Sequence, residues 1–298
     1  MPSILIVDDE VSFRLMVVDF LEDQYHVESA ECGEQALKML SARTFDLVIS
    51  DICMPGMDGV ELLRTIRKLY PSIKTVLMTA NDIDQFIKLA LIDGIANIIP
   101  KTVPFNFSEV AVVVKGLITG EIFGLPRYLL SEGTIFAEYR ITSSSEGSAV
   151  RDEIACLMKQ RFNSAGDMKL SLDEIITNAV YHASEGGDGL DKYKAYTDIV
   201  LSPDEYVGIV CGCDHEKCGV AITDQKGRLT KETVLAKIHR QVSGEGLCDT
   251  SGRGIHMSRL FADRMIINID RGKKTEVILM NYTIPAYRGY KPLYINEL

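Results

Sequence analysis

No run of apolar residues in this chain approaches the roughly 18 that a membrane span needs, so no spanning helix and no membrane partner are expected. The opening MPSILIVDDE lacks a basic stretch and becomes a strand at once, so no secretory signal is expected and the chain reads as cytoplasmic. Positive charge is in deficit: 32 Lys and Arg against 42 Asp and Glu leave a net charge of −10, with no basic patch to offset it. A nucleic-acid partner, which needs phosphate-neutralising cations, is therefore not expected. The seven cysteines are odd in number and scattered, which argues against a disulfide framework and for a reducing compartment. Tryptophan is missing altogether, an absence that excludes nothing functional. Internal repeats are lacking too. What remains is ordinary globular composition, over a length of 298 residues that favours about two domains.

The first part of the chain alternates short apolar segments with amphipathic ones. Residues 4–7, 46–50, 75–78 and 95–99 read as strands, and 11–23, 33–42, 58–70, 84–93 and 107–120 as helices. Five βα units imply a doubly wound parallel sheet with helices on both faces. Asp8 and Asp9 follow the first strand, Asp51 a later one, and Thr79 and Lys101 two more. A parallel sheet collects residues at the carboxyl ends of its strands into one crevice. Carboxylates, a hydroxyl and an ammonium gathered there make a Mg²⁺-dependent phosphate site. Asp51 has the chemistry of a carboxylate nucleophile toward phosphorus, and Lys101 and Thr79 that of groups which neutralise and hydrogen-bond a phosphoryl group.

This ordered set, with Met54-Pro55-Gly56-Met57-Asp58-Gly59 after Asp51, resembles the receiver domain of two-component response regulators over residues 1–120. The resemblance implies that Asp8, Asp9 and Asp51 hold Mg²⁺ and that Asp51 accepts the phosphoryl group from a cognate histidine kinase, with Thr79 and Lys101 sensing it. Two positions depart from the family. Ile98 stands where an aromatic switch residue is usual, and Pro100 precedes Lys101 where the family has Lys-Pro. The helix at 107–120 carries Val110, Ala111, Val112, Val113, Val114, Leu117 and Ile118 on more than one face. An ordinary amphipathic helix buries one stripe. The outer side of this one is expected to pack on the second domain or on a second copy of the chain, which makes a homodimer an expectation.

Residues 121–133, with Gly124, Pro126 and Gly133, read as a linker, and the pattern then changes. A strand is expected at 134–142, a Ser/Gly loop at 143–148, and helices at 150–162 and 170–183. Strands follow at 197–201, 206–213, 219–223, 264–270 and 275–282. This order implies an α/β sandwich over 134–283 with a mixed, mostly antiparallel sheet, followed by an irregular tail at 284–298. On the second helix Leu172, Ile175, Ile176, Ala179, Val180 and Ala183 form the buried stripe, while Glu174, Asn178 and His182, four apart, align on the other side. A strand ending at Asp224 follows, then Ser243-Gly244-Glu245-Gly246 and Ser251-Gly252-Arg253-Gly254 opening a helix. Glycines at a helix start let backbone amides approach phosphates, and a strand-end carboxylate can accept from an exocyclic amine.

Glu-x-x-x-Asn on a helix, a strand ending in Asp and a glycine-rich lid resemble the GHKL (Bergerat-type) ATP-binding domain. Thr177-Asn178-Ala179 with His182 four beyond the asparagine is similar to its anti-sigma-factor serine kinase branch. The resemblance implies that Asn178 ligates the Mg²⁺ bridging ATP phosphates, Glu174 is the general base, Asp224 reads adenine, and Gly227, Gly252 and Gly254 serve the nucleotide. Asp224-Gln225-Lys226-Gly227-Arg228 departs from the family's Asp-x-Gly-x-Gly, and Ala183 stands where a glycine often follows the histidine. No histidine lies between His26 and His182, so the phosphoacceptor helix of a conventional histidine kinase is missing. The expected function is a response regulator whose output domain binds ATP and phosphorylates Ser or Thr on an anti-sigma-antagonist-like partner. The alternative is a non-catalytic module with a degenerate nucleotide site that sequesters a sigma factor or antagonist under control of Asp51. Cys211, Cys213 and Cys218 around His215 have no common zinc spacing and read as reduced structural thiols about a hairpin turn at 214–217. Gly272-Lys273-Lys274-Thr275 reads as a second hairpin turn.

Overall fold

The computed structural model describes residues 1–161, 168–184, 198–246 and 253–298, and divides into two compact units, Met1–Ile122 and Phe123–Leu298. In the first unit β1 (Ser3–Val7), α1 (Val11–Leu21), β2 (His26–Ala30), α2 (Gly33–Ala42), β3 (Leu47–Asp51), α3 (Gly59–Leu69) and β4 (Lys74–Thr79) follow in order. A 3₁₀ turn (Ile83–Phe86), α4 (Ile87–Asp93), β5 (Asn97–Pro100) and α5 (Phe107–Thr119) complete it. Its strands lie in the order β2-β1-β3-β4-β5, all parallel. Ile4 to Val7 and Leu47 to Ile49 are wholly buried because helices cover both faces of such a sheet. Asp58 caps α3 by accepting from Glu61 N at 2.8 Å, and Val60, Leu62, Leu63 and Ile66 face the core. The helix expected at 84–93 is split: Asp82 starts a tighter 3₁₀ turn by accepting from Asp84 N, and α4 begins only at Ile87.

The second unit begins with a 3₁₀ turn (Leu125–Tyr128), then β6 (Thr134–Ile141), α6 (Ser144–Arg161), α7 (Met168–Ala183), β7 (Val207–Cys213) and β8 (Lys217–Asp224). It continues with α8 (Lys231–Val242), α9 (Gly254–Phe261), β9 (Arg264–Asp270), β10 (Lys274–Tyr282), a 3₁₀ turn (Pro285–Tyr287) and β11 (Leu293–Glu297). Strand order is β11-β9-β10-β8-β7-β6, antiparallel except for β11 against β9. The six apolar residues expected on α7 are all buried, against the sheet and α9. The unit is thus an α/β sandwich on a mixed sheet.

Several expectations are corrected. The 143–148 segment is not a loop: α6 starts at Ser144, because Ser143 Oγ accepts from Glu146 N while the Glu146 carboxylate accepts from Thr142 N. Around 197–201, within the described residues, only Val200 pairs, in an isolated bridge to Ser143. The tail is not irregular, since its last turn of sequence enters the sheet as β11 alongside β9. Buried Arg264 draws the preceding strap in, donating to the carbonyls of Tyr287 and Tyr290, and Lys291 Nζ donates to Ala262 O. The hairpin at 214–217 forms, with Asp214 N donating to Lys217 O. It sets Cys213 opposite Cys218, with Cα atoms 4.2 Å apart, and the two are disulfide-bonded instead of reduced. Helix α8 was not expected, although Val234, Leu235 and Ile238 mark its buried side at helical spacing.

Candidate functional site

At the carboxyl ends of β1, β3, β4 and β5 the first unit gathers Asp8, Asp51, Thr79 and Lys101. Asp8, Asp51 and Thr79 are buried, whereas Asp9 is exposed at the rim. The Lys101 ammonium pairs with Asp51 Oδ1 and lies 2.7 Å from Asp8 Oδ2, over the Phe13 ring at 4.3 Å. Asp51 Oδ2 accepts from Cys53 N at 2.6 Å. Thr79 ends its strand with its Oγ1 accepting from Asn81 N and its carbonyl accepting from Lys101 N at 2.7 Å. Burial pushes Asp8 above the ordinary carboxylate range, against the pull of Lys101. For Lys101 burial opposes the charge, but the hydrogen bonds to Asp51 and Asp8 prevail and raise it. Two buried carboxylates that already share one cation form a hard-oxygen donor pair. Mg²⁺ needs no more than one or two carboxylates, its other positions going to water and phosphate, so the residues present fit that ion. Ile98, at the position expected for the switch aromatic, is wholly buried in β5 beside Leu77.

In the second unit a cavity of about 540 Å³, counting the space open to solvent, lies between α7, α8, α9 and the sheet. Ile175, Ala179, Ile222, Leu229, Ile255, Ile267 and Val277 give it apolar walls, and Asn178, His182, Asp224, Lys237 and Thr275 supply its polar groups. A mostly apolar hollow with a few convergent polar groups suits a flat heteroaromatic ligand. Asp224 is buried at the end of β8; burial pushes its carboxyl up, opposed by the amides of Lys226 and Gly227, which donate to its Oδ1. Thr275, directly paired with Asp224 across the strands, holds a buried side chain beside that carboxylate and favours its charge. A buried hydroxyl beside a strand-end carboxylate, both on the cavity lining, fits the polar edge of a purine, which carries both donors and acceptors.

Glu174, Asn178 and His182 are half-buried, and the solvent side of α7 is formed by Asp173 and Thr177 instead. Asn178 Nδ2 donates to Glu174 Oε1 at 3.0 Å. The Glu174 side chain lies against the first residue of α9: a Cβ on Gly254 would overlap its carboxylate. Gly254 therefore permits a close approach of α9 to α7. Gly227 sits behind Asp224 with φ +58°, where a side chain would overlap the Asp270 carbonyl, so its glycine serves the turn against the β9–β10 hairpin. Gly252 lies outside the described residues. Thr275 and Lys237 were not singled out from sequence. Thr275 was hidden inside a segment rightly read as a hairpin, and Lys237 on a helix whose apolar spacing had gone unread.

Residues 4–114 match the family model described as Response regulator receiver domain, and residues 147–281 the one described as Histidine kinase-like ATPase domain. The chain is 34% identical over 119 residues to Sensor kinase CckA of Brucella abortus, covering 39% of this chain and 12% of that protein. It is 33% identical over 121 residues to Probable transcriptional regulator ycf29 of Cyanophora paradoxa, covering 40% of this chain and 57% of that protein. The chain thus spans no more than 57% of the length of these curated relatives. Among solved structures it is similar to response regulator protein TrrA from Thermotoga maritima in complex with Mg(2+)-BeF, at 37% identity and a TM-score of 0.36, over 39% of this chain and 99% of that one.

Proposed function

The chain joins a response regulator receiver domain to a histidine kinase-like ATPase domain, and from that premise we propose that phosphorylation of Asp51 controls ATP-dependent phosphorylation of a Ser or Thr on a small partner protein. A cognate histidine kinase is the donor. An Asp51 carboxylate oxygen attacks phosphorus, the phosphorus–nitrogen bond of the donor breaks, and its electron pair stays on the imidazole. Lys101, already paired with Asp51 and Asp8, neutralises the added charge, and Thr79 hydrogen-bonds a phosphoryl oxygen. In the second domain Asp224 and Thr275 take the adenine edge. Glu174 removes the proton of the partner's hydroxyl, whose oxygen attacks the γ-phosphorus as ADP leaves. Mg²⁺ supplies phosphate charge neutralisation at both centres, held by Asp8, Asp9 and Asp51 in one and by Asn178 in the other. The partner resembles an anti-sigma antagonist in this reading. Helix α5 carries the signal in this reading, since it ends at Gly120 only three residues before Phe123, where the second unit begins.

The observation that carries the reading is the apolar cavity with the buried Asp224–Thr275 pair and Asn178 on its lining. Calorimetry of the full chain with ATP, with and without Mg²⁺, tests it. Magnesium-dependent binding lost in Asn178→Ala is the expected result; no binding at millimolar ATP would refute it. In Glu174→Ala, transfer to the partner should vanish while ATP affinity stays. A second reading, a non-catalytic sequestering module for a sigma factor or its antagonist, is favoured by one feature: the Glu174 side chain is packed against Gly254 and hydrogen-bonded by Asn178. Partner capture by the full chain with no binding of millimolar ATP would favour that module.

A further inference from the structure

Alternation along a strand sends neighbouring residues to opposite faces of the sheet. Thr275 and Val277 of β10 line the cavity, so Glu276 between them belongs to the other face. There it is directly paired with Thr223 of β8 and Asn268 of β9, and Asn268 in turn with Asn296 of β11. The result is one polar row across four strands, immediately behind the Asp224–Thr275 pair. Asn268 Nδ2 donates to Glu276 Oε2 at 3.0 Å, and Asn296 Nδ2 donates to Asn268 Oδ1 at 2.8 Å. Glu276 and Asn268 are buried. What covers them is the stretch that follows α5 and Ile122. Gly124 N donates to both carboxylate oxygens at 3.0 Å, Tyr128 OH shares hydrogen bonds with Asn268, and Lys274 Nζ lies 3.9 Å over the Phe123 ring.

A buried carboxylate is costly, and an apolar residue in a sheet row would pack there at no such cost. Its use at this point, with the main-chain amide of Gly124 as a ligand, couples the strand to the entering chain. We propose that Glu276 is a positioning residue for the nucleotide cavity, and that the Gly124–Glu276 clamp transmits the phosphorylation state of Asp51 to Thr275 and Asp224. Displacing Gly124 leaves a buried carboxylate without its main-chain donor. Strand β10 readjusts to satisfy it, and the cavity-facing Thr275, the next residue, moves with it.

This rests on the ATP-binding reading, and the experiment keeps the two apart. ATP affinity of the full chain is measured before and after loading the Asp51 site with Mg²⁺ and beryllofluoride, in wild type and in Glu276→Gln, which keeps the shape but replaces an acceptor oxygen with a donor. Amide hydrogen exchange at Gly124 is followed in the same samples. The expected result is an affinity change of about tenfold in wild type, a ratio near unity in Glu276→Gln with ATP still bound, and faster Gly124 exchange on beryllofluoride. A merely structural Glu276 would alter unfolding yet leave the ratio intact, and that outcome overturns the proposal. So does a wild-type ratio of one. If ATP does not bind at all, the nucleotide reading fails on its own, and unchanged Gly124 exchange on beryllofluoride then rejects the clamp separately.

Discussion

Lys101 shows how a single side chain holds a site together. Its ammonium, largely buried, stands between the Asp8 and Asp51 carboxylates, which would otherwise repel each other. Lys101→Ala should lower the rate at which a small phosphodonor labels Asp51 by about 10²-fold, the scale for losing one preorganised charge-stabilising group. Radiolabel incorporation over time measures it, and an unchanged rate would remove Lys101 from the chemistry. Two glycines of the second unit make a contrasting pair. Gly227 has positive φ and faces backbone atoms that cannot retreat, so Gly227→Ala should cost about 2 kcal/mol or more in chemical denaturation. At Gly254 the three atoms nearest an added Cβ all belong to the Glu174 side chain, which can rotate away. Gly254→Ala should therefore cost less than Gly227→Ala, about 1 kcal/mol, while driving Glu174 from its place and suppressing partner phosphorylation. Equal destabilisation by the two substitutions would contradict this account.

Among the elements, α6 and α7 show local chemistry setting a boundary and tertiary packing setting a role. The start of α6 is fixed by Ser143 and Glu146, which satisfy the amides of Glu146 and Thr142. Ser143→Ala should lower stability by about 1 kcal/mol, read from the urea midpoint; no shift would mean that the bridge between Ser143 and Val200 holds that end instead. Helix α7 was legible in its apolar stripe and in the four-residue spacing of Glu174, Asn178 and His182. Its surroundings were not legible. That side of the helix is half-buried because α9, far along the chain, docks on it through Gly254. Strand β11 was missed for a related reason. Its pairing is parallel to β9 and its strap is drawn in by Arg264 and Lys291, contacts that no local pattern announces.

For the whole molecule, the buried carboxylates of the second unit make stability depend on pH. Burial raises Glu276 above its ordinary value of 4.5, despite the hydrogen bonds that favour its charge. The folded state therefore holds that proton more tightly than the unfolded chain. The contribution is fully present below about 4.5 and is lost as pH rises through the raised value. Glu276→Gln does not titrate. The melting temperature of wild type minus that of the variant should fall steadily as pH climbs from the ordinary carboxylate range toward neutrality. A difference that stays flat would mean that Glu276 is charged in both states throughout. No helix among the described residues is long and apolar enough to cross a membrane.

Four of the five strands and the helices of the first unit followed from alternation and strand-end chemistry alone; β2, whose HVESA is polar and only partly buried, carries no such apolar run and was missed. Parallel βα units bring Asp8, Asp51, Thr79 and Lys101 to one edge by topology, without any long-range contact having to be known. The helix carrying Glu174 and Asn178, and the strand ending at Asp224, were equally local. Only the tertiary structure decided what stands behind and above them. The Cys213–Cys218 bond, the pairing of Thr275 with Asp224, the packing of Gly254 on Glu174 and the hydrogen bonds of Gly124 to Glu276 all join segments by register or docking. Register is a property of paired strands, and docking of packed surfaces. Neither has a period in the sequence from which it could be read.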